Sequence, residues 1–173
     1  MPQTVYAAGL VAGAHYIEAL RSRLPFSVVT ARLSLTYGPA QSADFLIPSL
    51  IRSCLAGQRF TVHHPVERRD LIYVDDAVEA LSRIPAADLP TGIIINMASG
   101  NAPTMRETAM CVIAAVGADP ALVDFRQNGS AGVDLVPSPS LAQDLLGWTA
   151  RVPLPKGIER TVDWWRSAAG GGA

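Results

Sequence analysis

Residues Phe26-Ser27-Val28-Val29-Thr30-Ala31-Arg32-Leu33 decide the fold class. The stretch is rich in β-branched side chains and nearly uncharged, as a strand buried on both faces of a parallel sheet is. Before it, Tyr6, Leu10, Ala14, Ile17 and Leu20 recur at helical spacing across residues 4–23. Pro25 ends that helix, because proline lacks the amide donor and disfavours helix in the residue before it. After the strand, Tyr37-Gly38-Pro39-Ala40 reads as a loop, and a helix follows over 43–57 with Gly57 at its end. Phe60–His63 and Leu71–Val74 read as short extended pieces. Asp75 or Asp76 is placed to cap a helix over 77–84.

Ile93-Ile94-Ile95-Asn96 predicts a second buried strand. Thr104 and Glu107 have the spacing of a capping box for a helix over 105–116. Residues 120–139 read as irregular, 140–146 and 155–167 as helices, and the glycine-rich 168–173 as a disordered tail. Alternating strands and helices predict an α/β domain over 1–167. Two strongly buried strands are too few for an open parallel sheet covered on both faces. The sheet is therefore expected to be truncated, with its missing strands supplied by another polypeptide or its open surface covered by a second copy.

The chain has 173 residues, 49% of them hydrophobic, and a net charge of −1. That balance gives no electrostatic reason for nucleic acid or an anionic membrane as partner. The N-terminus lacks the charged start and apolar core of a signal peptide, and no apolar run approaches the ~20 residues of a membrane span. A cytoplasmic location is the expectation. Cys54 and Cys111 sit in apolar stretches and read as buried free thiols. Neighbouring His63 and His64 point to opposite faces of a strand, which argues against a shared metal ion. Trp164 and Trp165 read as core and surface aromatics.

Four segments occur in a telling order: Tyr6-Ala7-Ala8-Gly9-Leu10; Arg32-Leu33-Ser34-Leu35-Thr36-Tyr37-Gly38-Pro39; Arg69-Asp70-Leu71-Ile72-Tyr73-Val74-Asp75-Asp76; and Leu146-Gly147-Trp148. Together they resemble the C-terminal half of the extended short-chain dehydrogenases/reductases, the NAD-dependent nucleotide-sugar epimerases and dehydratases. The resemblance implies the C-terminal part of a Rossmann-like fold, a truncated parallel sheet with a small substrate-binding subdomain. It identifies Tyr6 with the family's catalytic tyrosine. The lysine that follows it in the family, a nearby charge and a ribose ligand, is Leu10 here.

Leu35 falls where the family usually has an asparagine near the sugar diphosphate, and Ser138 where an aspartate is common. The family's arginine ahead of that aspartate has no clear counterpart, though Arg126 lies in the region. By the same resemblance Arg69 would hold the diphosphate, a task suited to a planar charged fork. Leu46 and His63 would line the nucleotide base, and Tyr37 would belong to the substrate site. Asp75 reads as a helix cap rather than an acid/base group. The glycine-rich loop that holds the cofactor pyrophosphate does not occur in these residues. No tight NAD binding is therefore expected of the chain alone, and NAD enters only if a companion chain brings that loop.

Three readings follow. The first is a truncated epimerase/dehydratase-like protein that keeps the substrate-binding half and is not redox-active by itself. The second is a cofactor-independent cyclase, isomerase or lyase, with Tyr6, His15, Tyr37, His63 and Asp70 as acid/base candidates. The third is a non-catalytic partner subunit. A homodimer, or pairing with a separate N-terminal half, is the expected assembly.

Overall fold

The computed structural model describes residues 4–127 and 132–170. The chain begins with α1 (Val5–Leu20), capped by the Thr4 hydroxyl, which accepts the Ala7 amide. No residue of α1 is buried. After Pro25 the chain enters β1 (Thr30–Leu33) and β2 (Leu35–Tyr37), then α2 (Leu46–Leu55), β3 (Phe60–His63), β4 (Leu71–Tyr73) and α3 (Val74–Arg83). The second half holds β5 (Ile94–Met97), α4 (Met105–Val116), β6 (Val123–Arg126), α5 (Ser140–Leu146) and α6 (Leu154–Gly170). Among the described residues the strands form three parallel pairs, β1 with β5, β2 with β4 and β3 with β6.

Several expectations change in the structure. The first strand begins at Thr30, and Phe26 is 63% exposed. β1 pairs on one edge only, and its Arg32 and Leu33 are exposed. β5 is buried on a single face, through Ile95 and Met97, while Ile94 is exposed. Full burial of a parallel strand needs helices on both faces, and α1 covers neither strand. Asp75 and Asp76 are not caps: α3 starts at Val74, so both lie in its first turn, where the helix dipole favours them. Residues 120–139 contain β6, matched Phe60 to Val123 through His63 to Arg126; within that stretch 128–131 lie outside the described residues. α6 continues to Gly170, into the stretch read as tail, and 171–173 also lie outside them.

Two clusters of buried side chains make the core. One joins α2, α4 and α6 to β3 and β6 through Leu50, Ile51, Val62, Val112, Ile158 and Val162. The other packs α3 and α5 against β4 and β5, around Ile72, Ala80, Ile95, Met97 and a fully buried Trp148. Gly147 ends α5 in the left-handed region at φ 57°, which swings the chain so that Trp148 enters that cluster. Thr104 and Glu107 form the capping box at the start of α4. No helix among the described residues is long and apolar enough to cross a membrane.

Candidate functional site

In parallel α/β sheets, ligands sit beyond the carboxyl ends of the strands. Here β1 leads at that end into Ser34 and β2, and a cavity of about 460 Å³ opens beside them. Its floor is Arg32 to Leu35 with Asn96 of β5, and its opposite wall is Asp134 to Pro137. Ser34 Oγ is buried with no hydrogen-bond partner among the described residues. A larger groove, about 640 Å³, lies between α2 and Trp165 and holds none of the predicted site residues. We take the smaller cavity as the site because its position, not its volume, matches the strand chemistry.

Asp70 lines the cavity between Leu35 of β2 and Leu135 of the wall, its carbonyl accepting the Leu35 amide and its amide donating to Leu135 O, and is 2% exposed. Its Oδ1 accepts the Ser99 amide at 2.8 Å, and its Oδ2 accepts the Ser99 hydroxyl at 3.0 Å and the Gly100 amide at 2.9 Å. With its carboxylate filled by these donors, it shapes the 99–101 turn. Asp76 acts alike, accepting the amides of Arg151 (3.1 Å) and Val152 (2.9 Å) and tying α3 to the approach of α6. Asp75 is exposed and lies 3.6 Å from Arg160.

Of the predicted site residues, Leu35 lines the cavity, as does Asp70. Tyr6 and Leu10 do not: they stand on α1, 77% and 59% exposed. Tyr37 is core, 2% exposed, with its ring edge-on to Tyr73 at 5.7 Å and its hydroxyl donating to Leu154 O. Burial, reinforced by Tyr73 and Asp76 nearby, holds the Tyr37 phenol well above its ordinary range, so it stays neutral. Burial likewise raises Tyr73, with Asp75 adding to it against Arg160, and raises both cysteine thiols. Leu46 is half-buried in the first turn of α2, and His63 is exposed at the end of β3. Neither borders the cavity. His15 is exposed on α1. Among the described residues no group of three or more His, Cys, Asp or Glu side chains is placed to hold a metal ion.

The Arg69 guanidinium does not reach into the cavity as a free fork. Its Nη1 donates to Val133 O at 2.8 Å and to Arg68 O at 2.9 Å, and its Nη2 pairs with Glu67. Its ionic partner among the described residues is Glu67. Gly132 and Asp134 were not singled out for chemistry, and Glu67 entered only beside His63 and His64 in the metal reading. The one signal available was a glycine two residues before an aspartate in an irregular stretch.

The sequence profile of the "NAD dependent epimerase/dehydratase family" matches residues 1–98. The chain belongs to this family. It is 27% identical over 172 residues to the dTDP-D-glucose 4,6-dehydratase of Mus musculus, covering 95% of this chain and 48% of that protein. It is 28% identical to the UDP-glucose 4-epimerase of Mycolicibacterium smegmatis, covering 96% of this chain and 54% of that protein. Its fold superposes on the UDP-glucose 4-epimerase of Thermus thermophilus, solved in complex with NAD, with a TM-score of 0.82 at 27% identity. That match covers 97% of this chain and 56% of the epimerase. The chain thus spans about half the length of the relatives it matches, as the C-terminal part of a Rossmann-like epimerase/dehydratase fold.

The residues present do not fit a resident NAD. No G-x-G-x-x-G occurs anywhere in the 173 residues to open a helix toward a pyrophosphate. Position 10, where the resemblance places the family's lysine, is leucine.

Proposed function

We propose that this chain is the substrate-binding half of an epimerase/dehydratase-like protein and takes a nucleoside-diphosphate sugar at the cavity between Leu35 and the Asp134–Pro137 wall. The relatives are named for dTDP-glucose and UDP-glucose, which supplies the ligand class. Arg32, on the cavity floor, has no carboxylate partner among the described residues and is the cation available to a diphosphate. Redox chemistry by the chain alone is not part of the reading, because neither a pyrophosphate loop nor the motif lysine is present.

The observation that carries the proposal is the bare helix. α1 holds Tyr6 at its start, yet buries nothing against its own chain. Val5, Tyr6, Leu10, Tyr16 and Ile17 remain exposed, where complete burial of a single aliphatic side chain contributes about 1.5–3 kcal/mol. A second copy, or a separate N-terminal half, would cover that surface. With such a half, NAD would be bound by the partner's glycine-rich loop.

Calorimetric titration with NAD, NADP, UDP-glucose and dTDP-glucose tests the reading. Saturable heat with the sugars and none with the dinucleotides is expected. Silence with every sugar overturns it and turns attention to a cofactor-independent reaction on a different substrate. That second reading draws on Leu35, which makes the cavity floor more apolar than a hydrogen-bonding asparagine would.

A further inference from the structure

The wall of the cavity is irregular backbone, and something must hold it. We propose that the Glu67–Arg69 ion pair is a clasp that positions the Asp134–Pro137 wall, so that Arg69 governs ligand binding without touching the ligand. The inference rests on the cavity being the nucleotide-sugar site, and it reassigns Arg69 within that site from ligand contact to positioning residue.

The contacts converge on residues 132–135. Arg69 Nη1 donates to Val133 O at 2.8 Å while Nη2 is held by Glu67. The Arg68 amide donates to Asp134 Oδ1 at 2.8 Å. The Leu135 amide donates to Arg68 O, and the Asp70 amide to Leu135 O, both at 3.0 Å. Asp134 and Leu135 are themselves cavity wall, so the clasp lies within two residues of the ligand space. The other side of the clasp is anchored too, since Glu67 O accepts the amide of Met105, the first residue of α4.

Gly132 shows how tight the fit is. A Cβ there would lie 1.7 Å from Glu67 Oε1, so any other residue must displace the carboxylate. His64, at φ 53°, brings its Nδ1 to 3.5 Å from the same oxygen. The Glu67 and Arg69 side chains are 10% and 19% exposed. To grip a diphosphate, Arg69 would have to leave the carboxylate and both carbonyls. Glu67 also cancels much of its attraction for an anion. Removing one partner of a pair this buried strands the other charge, which is how a clasp fails when either half is lost.

The test measures hydrogen exchange at the Leu135 and Asp70 amides alongside calorimetric titration with UDP-glucose and dTDP-glucose. The variants are Glu67→Gln, Arg69→Ala, Arg69→Lys, Gly132→Ala and the Glu67→Gln/Arg69→Ala double. Each single change should speed exchange at Leu135 about ten-fold and weaken sugar binding by a similar factor. The double should be no worse than Arg69→Ala, the non-additivity expected of one shared contact. Arg69→Lys keeps the charge but not the fork, and should restore little. Unchanged amide protection in α4 in every variant marks an intact fold. The proposal is overturned if Arg69→Ala abolishes binding with Leu135 exchange unchanged, or if Glu67→Gln binds as tightly as the parent. If the parent binds no sugar, the functional reading fails, and the exchange rates still decide the clasp.

Discussion

Gly157 illustrates how one missing atom sets a close approach. A Cβ at this position of α6 would come within 2.1 Å of the Tyr37 hydroxyl and 2.9 Å of the Tyr73 ring. Glycine in a helix interior ordinarily costs about 0.5–1 kcal/mol relative to alanine, so Gly157→Ala would help if space allowed. Space does not allow it, and overpacking of about 1–3 kcal/mol wins. Urea unfolding should show Gly157→Ala less stable than the parent by that order, with part of the loss recovered in a Tyr37→Phe background. Equal losses in both backgrounds would show that the hydroxyl is not the obstacle. Glu107 offers a pH test. The Thr104 amide, then its hydroxyl, hold the carboxyl below its ordinary range. A depressed folded-state value adds stability that is complete above the unfolded value and lost as pH falls through the folded one. Melting temperatures should therefore separate Glu107→Gln from the parent at pH 7, and the gap should shrink on acidification below about pH 4.

What could be read in advance followed the range of the interaction involved. The Thr104–Glu107 box spans one helical turn, so the sequence spacing shows it directly, and α4 forms with that cap. The Leu146-Gly147-Trp148 corner is equally local. β6 escaped notice because four residues are too few for a clear alternation, and its partner β3 lies about sixty residues earlier. The same limit hid the site. Leu35 was legible as an altered position, whereas the wall facing it is made by side chains meeting backbone: Arg69 with Val133 O and Arg68 N–H with Asp134. Buried Asp70 and Asp76 likewise find amides 29 to 76 positions away. α1 is the reverse case, easily legible as a helix and hard to place. Its 16 residues exceed only slightly the ~12–15 at which isolated helices become marginal, and none of them is buried. Hydrogen exchange on dilute monomer should therefore find α1 close to unprotected and α4 the slowest. Strong protection of α1 in a sample shown to be monomeric would contradict the exposed placement.

The molecule as a whole is two small cores joined through β4 and α3, with one flank uncovered. The helical core around α2, α4 and α6 is closed on itself. The sheet core is not: among the described residues β1 has a free edge and exposes both Arg32 and Leu33, β5 exposes one face, and α1 carries its apolar residues in solvent. The relatives that the chain matches are about twice as long. An exposed strand edge beside an apolar helix is a surface that drives association. The chain in isolation should consequently self-associate, and sedimentation equilibrium should report a mass that rises with concentration. The variant Leu10→Glu/Ile17→Glu places two charges on α1 without touching either core, since neither residue is buried. It should shift the equilibrium to monomer and leave the midpoint of urea unfolding of the dilute chain within about 0.5 kcal/mol of the parent. Loss of stability at low concentration would mean that α1 packs on its own chain after all. Association that persists unchanged in the variant would place the contact on the free edge of β1, where Ala31→Pro, removing a backbone donor in mid-strand, becomes the substitution that must break it.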